Sequence, residues 1–351
     1  MQGITMASRA YVLVPCIAVI GWATLTCVAA DSTATTPDAK SQSAANTPEP
    51  ELFSGRVVYL REALAKREIQ LAREVSAKDL GNGEAPAHVT FISNPAVRVV
   101  LPLIPALAAS SPLAGGADTG WRDYRLCVYA TNSERFPGIT GAVVPEPAAS
   151  RAAYERDVLH PMYAAIAPFD RDGVLQHEWL NARGAIARFD RMAIEIRVLD
   201  VQETPLMDVA YAALIVEVLK LLTAEQWLDV AGMNAWSTPE LGKLLRLTER
   251  QGETAGLADR RYLAALGFPG GSTELKGLWE HLIESASARG VVDAATGRLL
   301  EHYLRHGTLA TRISKAVGPL PTRAILMKVY EQLCEALAEG RPFAPPAPAA
   351  R

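Results

Sequence analysis

Two ionisable side chains, Glu195 and Arg197, alternate with apolar ones in the segment RMAIEIRVLD, residues 191–200. Because successive side chains of a β-strand point to opposite faces, Glu195 and Arg197 are predicted to share one face. A carboxylate is a ligand for the hard cation Mg²⁺, and a guanidinium binds phosphates or carboxylates in a planar fork. The same pair would also suit a solvated strand face with salt bridges. From the pattern alone, both interpretations stay open.

The segment 176–200 is unusually polar for strands in a chain that is 49% hydrophobic. Seven further candidates for chemistry lie in it: His177, Glu178, Asn181, Arg183, Arg188, Asp190 and Asp200. Arginines beside carboxylates are typical of magnesium–phosphate sites, although cross-strand ion pairs on an outer face would use the same residue types.

The composition argues against several classes of protein. The formal net charge is −3, and no stretch interleaves basic with aromatic residues, so nucleic-acid binding is not expected. The four cysteines have no short spacing typical of a zinc or redox motif, and no disulfide framework is predicted.

The chain divides by composition into several parts. Residues 1–30 hold an apolar run over 11–30 that is typical of a signal peptide or a membrane anchor. Residues 31–50 are predicted to be a disordered linker, and residues 51–85 to hold a charged helix. The Pro- and Ala-rich end, 341–351, is predicted to be a disordered tail. Membrane contact is expected only through 11–30.

The central part of the chain predicts an α+β fold. Residues 174–190 and 193–200 resemble two strands, and the apolar stretch 94–113 is expected to be a helix broken by its prolines. Thr204 followed by Pro205 predicts the start of a helix that is apolar nearly all round and therefore buried. Amphipathic helices are predicted over residues 237 to about 338.

Two segments carry a resemblance to a known family. The segment 181–222, NARGAIARFDRMAIEIRVLDVQETPLMDVAYAALIVEVLKLL, resembles the C-terminal half of the type-2 glutamate–cysteine ligases, and the segment 101–147 resembles the middle region of that family. These are bacterial carboxylate–amine ligases with a glutamine-synthetase-like fold. The resemblance implies that residues 86–340 form part of an antiparallel sheet covered by many helices. The charged helix of 51–85 has no counterpart in the family.

The resemblance also implies a reaction and its residues. Such enzymes use ATP to convert a carboxylate into an acyl phosphate, which an amine then attacks to form an amide, here a gamma-glutamyl bond as in glutathione biosynthesis. The cofactors implied are ATP and Mg²⁺, and the substrates are small amino acids. The residues implied are Glu195 as a metal ligand, Arg197 and Arg188 as catalytic groups, and Arg183, Arg125 and Asn181 as binding groups for substrate or nucleotide.

The sequence departs from the family pattern in its first half, where two further metal-binding glutamates are expected and not found. One glutamate cannot build a site for two or three metal ions. A truncated ligase is therefore expected, completed by a partner chain, a homo-oligomer or a longer reading frame. The alternative is a non-catalytic remnant, exported, that binds a small carboxylate or a partner chain. The family implies a cytoplasmic location, whereas residues 11–30 imply export or anchoring, and both stay open.

Overall fold

A computed structural model describes residues 95–189, 193–289 and 292–345, and helices make up most of these ranges. The α-helices are α1 (Pro105–Ala108), α2 (Tyr124–Tyr129), α3 (Pro137–Thr140), α4 (Arg151–Tyr154), α5 (His160–Ile166), α6 (Pro205–Thr223), α7 (Val230–Asn234), α8 (Thr238–Gln251), α9 (Arg260–Ala265), α10 (Leu275–Ser287), α11 (Ala294–His306), α12 (Leu309–Val317) and α13 (Arg323–Glu339). Single 3-10 turns lie at Leu101–Leu103, Ala167–Phe169, Glu178–Leu180 and Gly252–Thr254, and a π-helical turn joins α4 to α5 at Glu155–Leu159.

The strands form three separate two-stranded antiparallel sheets. They pair β1 (Leu113–Ala114) with β2 (Ala117–Asp118), β3 (Ala185–Arg188) with β4 (Ala193–Ile196), and β5 (Gly256–Leu257) with β6 (Thr273–Glu274). In the central hairpin Ala185 lies opposite Ile196, and Arg188 lies opposite Ala193. The predicted α+β class, with a partial antiparallel sheet covered by helices, is confirmed.

The first strand of the central hairpin is shorter than the predicted 174–190. The Asp170 carboxylate accepts hydrogen bonds from the backbone N–H groups of Val174 and Leu175, at 2.9 Å each, and so closes a turn. A 3-10 turn at Glu178–Leu180 follows. Side-chain hydrogen bonds to the backbone compete with sheet formation here, and only residues 185–188 pair as a strand.

Helix α6 starts where the sequence predicts. The Thr204 hydroxyl accepts hydrogen bonds from the backbone N–H groups of Leu206 and Met207, and Pro205 occupies the first helical position. Buried side chains lie on every side of the helix, so its hydrophobic surface is covered all round as predicted.

The main hydrophobic core surrounds the proline-broken segment that precedes β1. Residues 95–100 are helical, and the chain then turns through Leu101–Leu103 into α1. Buried aromatic side chains satisfy its carbonyl groups: Trp279 Nε1 donates to the Leu103 oxygen at 3.1 Å, and the Tyr303 hydroxyl donates to the Ala106 oxygen at 2.9 Å. Each aromatic residue thus buries apolar surface while its polar tip is hydrogen-bonded.

The C-terminal segment also packs on this body. Phe343, in the part predicted as a disordered tail, is 2% exposed. Its carbonyl oxygen accepts from Arg312 Nη1 at 2.6 Å, and its N–H donates to Glu203 Oε1 at 3.0 Å. Arg312 and Glu203 are themselves a fully buried ion pair. The segment is held by charge-assisted hydrogen bonds as well as by apolar contact.

The predicted signal-like run 11–30, the linker 31–50 and the charged helix of 51–85 lie outside the described residues. Within the described ranges, no helix combines the length and the apolarity needed to cross a bilayer.

Candidate functional site

The β3–β4 hairpin places the predicted chemical side chains on one face. Ile194, Ile196 and Val198 are buried, whereas the intervening Glu195 and Arg197 are half-buried. The alternation predicted for this strand is therefore confirmed, and its polar face is not a freely solvated surface.

Three side chains of the hairpin form one hydrogen-bonded row, here named the guanidinium wall: Arg188, Glu195 and Arg197. Arg188 Nη1 donates to Glu195 Oε2 at 2.8 Å, and Arg197 Nε donates to Glu195 Oε1 at 2.8 Å. Arg188 is the diagonal cross-strand neighbour of Glu195, and long side chains can bridge that distance. The wall brings together the two predicted catalytic arginines and the predicted metal ligand.

The two arginines of the wall keep Glu195 in its charged form. Burial by itself would raise the pKa of Glu195, but the hydrogen bonds and charges of Arg197 and Arg188 outweigh burial and lower the pKa. Glu195 is therefore ionised at neutral pH.

Glu178 approaches the wall from the 3-10 turn that precedes β3. Its Oε2 lies 3.8 Å from Arg188 Nε and accepts a hydrogen bond from the Phe189 N–H at 3.1 Å. Of the other carboxylates considered from the sequence, Asp200 faces Arg125 instead, and Asp190 lies outside the described residues.

Asn181 forms hydrogen bonds with Arg183 and Arg197 and orients both side chains. Its side-chain Oδ1 accepts from Arg183 Nη1 at 3.1 Å and from the Arg183 N–H at 3.2 Å. Its backbone oxygen accepts from Arg197 Nη1 at 2.6 Å, and its Nδ2 donates to the Tyr154 hydroxyl at 2.7 Å. Asn181 is fully buried, so its contacts position the arginines.

Arg183 is neutralised by a carboxylate of the protein. Its guanidinium makes a bidentate ion pair with Glu146, in which Nη2 donates to Oε1 at 2.7 Å, and its Nη1 also donates to the Gly138 carbonyl at 3.0 Å. The guanidinium packs against Gly141, which has a φ of +57°, and a Cβ there would lie 3.1 Å from it. Glycine is needed at this position both for its backbone conformation and for the close approach.

Arg125 is not joined to the guanidinium wall by any hydrogen bond or ion pair within the described ranges. It pairs with Asp200, whose Oδ2 also accepts from the Ser110 N–H at 2.8 Å and from the Ser111 hydroxyl at 2.7 Å. Burial would lower the pKa of Arg125, but the charges of Asp200 and Asp123 outweigh burial and raise it. This pair ties α2 to the end of the hairpin.

The described residues contain no group of three or more His, Cys, Asp or Glu side chains that could hold a metal ion. Glu195 presents one carboxylate, and each of its oxygens already accepts from a guanidinium. The donor set of the wall therefore suits a phosphate or a carboxylate better than a cation.

Sequence reasoning missed two residues of this network. Glu146 lies between two prolines in the segment VVPEP, and Tyr154 lies where α4 passes into the π-helical turn. Neither belongs to a periodic pattern or a motif, and each meets its partner across more than 25 positions of the chain. Only a π-helical turn, which is frequent at functional sites, marks Tyr154 in the structure.

The sequence of this region matches a known protein family. The family model of glutamate-cysteine ligase family 2 (GCS2) matches residues 94–317, which include the whole guanidinium wall. An uncharacterized protein of Archaeoglobus fulgidus is 35% identical over 175 residues, covering 48% of this chain and 47% of the relative. The match thus spans about half the length of the curated relative.

Proposed function

The chain belongs to glutamate-cysteine ligase family 2, and we propose on this premise that it is an ATP-dependent carboxylate–amine ligase. The proposed product is an amide, of the gamma-glutamyl type, formed through an acyl phosphate. The observation that carries the proposal is the guanidinium wall, because two arginines orient their guanidinium groups on one half-buried face within the family match.

The proposed reaction has two steps. A carboxylate oxygen of the first substrate attacks the γ-phosphorus of ATP, and ADP leaves. The amine of the second substrate then attacks the carbonyl carbon, the C–O bond to the phosphate breaks, and the amine nitrogen loses a proton. Negative charge accumulates on the phosphoryl oxygens in both steps, and fixed cations stabilise it.

Two of the three guanidinium nitrogens of Arg197 form hydrogen bonds within the protein, and the third can contact a phosphoryl oxygen. Nε donates to Glu195 and Nη1 donates to the Asn181 carbonyl, which fixes the plane of the guanidinium. Its Nη2 makes no hydrogen bond to any residue in the described part of the chain and is available to a phosphoryl oxygen. Arg188 supplies the second guanidinium from the neighbouring strand.

Ligases of this family typically use Mg²⁺ together with ATP. The family resemblance implies Glu195 as a metal ligand, but a single carboxylate held by two guanidinium groups does not fit a Mg²⁺ ion, which takes several oxygen ligands in a near-octahedral arrangement. The charge neutralisation described above therefore rests on Arg188 and Arg197 alone.

The binding roles predicted for Arg183, Arg125 and Asn181 are revised in the proposal. Asn181 acts by positioning Arg197 and Arg183, and Arg183 would contact a substrate only by exchanging its Glu146 partner. Small amino acids are the proposed substrates. The oxygen ligands for Mg²⁺ and the rest of the nucleotide pocket are proposed to come from a second copy of the chain or from a partner chain.

The proposal is tested by measuring ADP formation by the full chain with ATP, Mg²⁺ and pairs of a carboxylic and an amino substrate. ADP formation is expected to need both substrates. Arg197→Lys keeps the charge but loses the planar fork, and turnover is expected to fall about 100-fold, the usual effect of removing one preorganised transition-state donor.

Arg305→Lys is the matched control, since Arg305 is an exposed arginine paired with Glu301 on α11, far from the hairpin in sequence. It is expected to keep full turnover. Full turnover in Arg197→Lys would exclude the phosphoryl role. Calorimetric binding of a carboxylate without ADP formation from any pair would favour the non-catalytic alternative.

A further inference from the structure

Arg183 is paired with a carboxylate at the edge of its guanidinium that a ligand would use. Its Nη1 is held inside the protein by the Gly138 carbonyl and by Asn181, whereas Nε and Nη2 form the bidentate pair with Glu146. The Arg183 side chain is 5% exposed, and that of Glu146 is 40% exposed. A carboxylate of a ligand can therefore form a bidentate pair with Nε and Nη2 only after Glu146 has left them.

A second guanidinium lies beside the Glu146 segment and is held by neutral groups alone. Arg98 is fully buried, and its Nε donates to the carbonyl of Pro145, the residue before Glu146, at 2.8 Å. Its Nη2 donates to the Trp236 carbonyl at 2.9 Å and to the Thr238 hydroxyl at 3.3 Å. Among the residues that the structure describes, the buried Nη1 has no hydrogen-bond acceptor and Arg98 has no ion-pair partner. A buried charge without a counter-ion is costly, so Arg98 is an alternative partner for a carboxylate that can reach it.

The backbone around Glu146 is restricted, whereas its side chain is half-exposed. Pro145 and Pro147 flank it, and a following proline keeps the backbone of Glu146 extended. The side chain has several rotatable bonds, so the carboxylate can change partners without movement of the chain. The charge of Glu146 also acts on Arg98, because burial lowers the pKa of Arg98 and the Glu146 carboxylate opposes that shift. Glu146 is therefore within electrostatic reach of both arginines.

We infer that Glu146 is an exchangeable carboxylate, which pairs with Arg183 in the free protein and moves to Arg98 when a carboxylate of the substrate occupies Arg183. The inference rests on the proposed function, because the ligand is the acid substrate of the ligase. The exchange replaces one bidentate pair of Arg183 by another and gives the buried charge of Arg98 a counter-ion.

The position of Arg183 relative to the guanidinium wall defines the class of acid that fits. Arg183 and Arg197 both donate to Asn181, the first to its Oδ1 and the second to its backbone oxygen. A short dicarboxylate can therefore place one carboxylate on Arg183 and the other at the wall, where phosphoryl transfer is proposed. An acid whose other end is uncharged leaves Glu146 on Arg183, so Glu146 selects for a substrate with two carboxylates.

The inference is tested by isothermal titration calorimetry of the full chain with glutarate, a dicarboxylate without an amine. Glu146→Ala removes the competing carboxylate, and glutarate is expected to bind at least about tenfold more tightly than to the wild type, because Arg183 is then unpaired in every molecule. Glu301→Ala removes an exposed glutamate that is paired with Arg305, and this matched control is expected to leave the affinity unchanged. Equal, weaker or undetectable binding in Glu146→Ala would overturn the inference.

A double-mutant cycle tests the part of Arg98. Arg98→Gln is expected to weaken glutarate binding about tenfold when Glu146 is present and to have no effect in the Glu146→Ala background, because the displaced carboxylate is then absent. A merely structural role of Arg98 would change binding equally in both backgrounds, and equal effects, or no effect in either, would overturn the exchange. Glu146 is half-exposed, so Glu146→Ala is expected to fold, and its comparison with the wild type decides the inference by itself if Arg98→Gln does not fold.

The calorimetry contains no ATP, so its result is independent of turnover. Binding with this pattern but without ADP formation from any substrate pair would contradict the proposed ligase reaction and leave the exchange standing. ADP formation without this pattern would overturn the exchange and leave the ligase reaction standing.

Discussion

Glu249 makes a measurable prediction about stability because its carboxyl group is buried on α8. Burial outweighs the favourable charge and hydrogen bond of Arg246 and raises the pKa of Glu249 from 4.5 to about 7. A carboxyl whose pKa is higher in the folded state holds its proton more tightly there. Its contribution to stability is complete below pH 4.5 and is lost as the pH rises through 7.

The size of the effect follows from the two pKa values. At about 1.4 kcal/mol for each pKa unit, the free energy of unfolding should fall by roughly 2–3 kcal/mol between pH 5 and pH 8 because of Glu249. Glu249→Gln has a similar shape and does not titrate, so this part of the pH dependence should disappear. Asp208, whose pKa burial also raises to about 7, contributes equally to both proteins and cancels in the difference.

The assay is urea unfolding of the wild type and of Glu249→Gln at pH 5 and pH 8. The stability of the variant relative to the wild type should be roughly 2–3 kcal/mol higher at pH 8 than at pH 5. Glu301→Gln, which removes an exposed carboxylate on α11, serves as the control and should not change the profile. A stability difference between wild type and Glu249→Gln that is the same at both pH values would refute the reasoning.

Three further substitutions test the positions of individual side chains. Asn181→Ala removes the side-chain amide that contacts Arg183 and the Tyr154 hydroxyl but keeps the backbone carbonyl that binds Arg197, so the free energy of unfolding should fall by about 1–3 kcal/mol, measured in urea, while the folded protein keeps its turnover. Gly141→Ala should lower the free energy of unfolding by about 1–2 kcal/mol, measured in urea, because of its positive φ and the adjacent Arg183 guanidinium, and an unchanged value would contradict this. Phe343→Ala should lower the free energy of unfolding by about 3–5 kcal/mol because the buried ring of the C-terminal segment is lost. An unchanged melting temperature would contradict that packing.

The parts of the fold that follow from local patterns could be predicted from the sequence. Thr204 and Pro205 mark the start of α6 because the capping hydrogen bonds involve only the next three residues. The alternation around Glu195 and Arg197 identifies their shared face because strand geometry has a period of two.

The turn before β3 could not be predicted in the same way. Residues 174–184 have strand-like composition, but Asp170 turns the backbone at Val174 and Leu175. This competition between a side chain and the sheet leaves no periodic signal in the sequence.

The site was predictable only where its residues are close in sequence. Glu195 and Arg197 are two positions apart, and their pairing could be expected. Glu146 and Tyr154 reach Arg183 and Asn181 from distant segments, and only the folded chain brings them together. The predicted role of Arg125 depended on resemblance alone, and the structure shows it paired with Asp200.

The proposed reaction passes through an acyl phosphate of the substrate carboxylate, and an isotope experiment detects this intermediate by the oxygen that it transfers. L-Glutamate labelled with oxygen-18 in its side-chain carboxylate is incubated with the full chain, ATP, Mg²⁺ and L-cysteine, and the inorganic phosphate is analysed by mass spectrometry. One labelled oxygen in each phosphate released is the predicted result, because the acyl phosphate carries a carboxylate oxygen away with the phosphoryl group. Amide formation that releases unlabelled phosphate would contradict the claim.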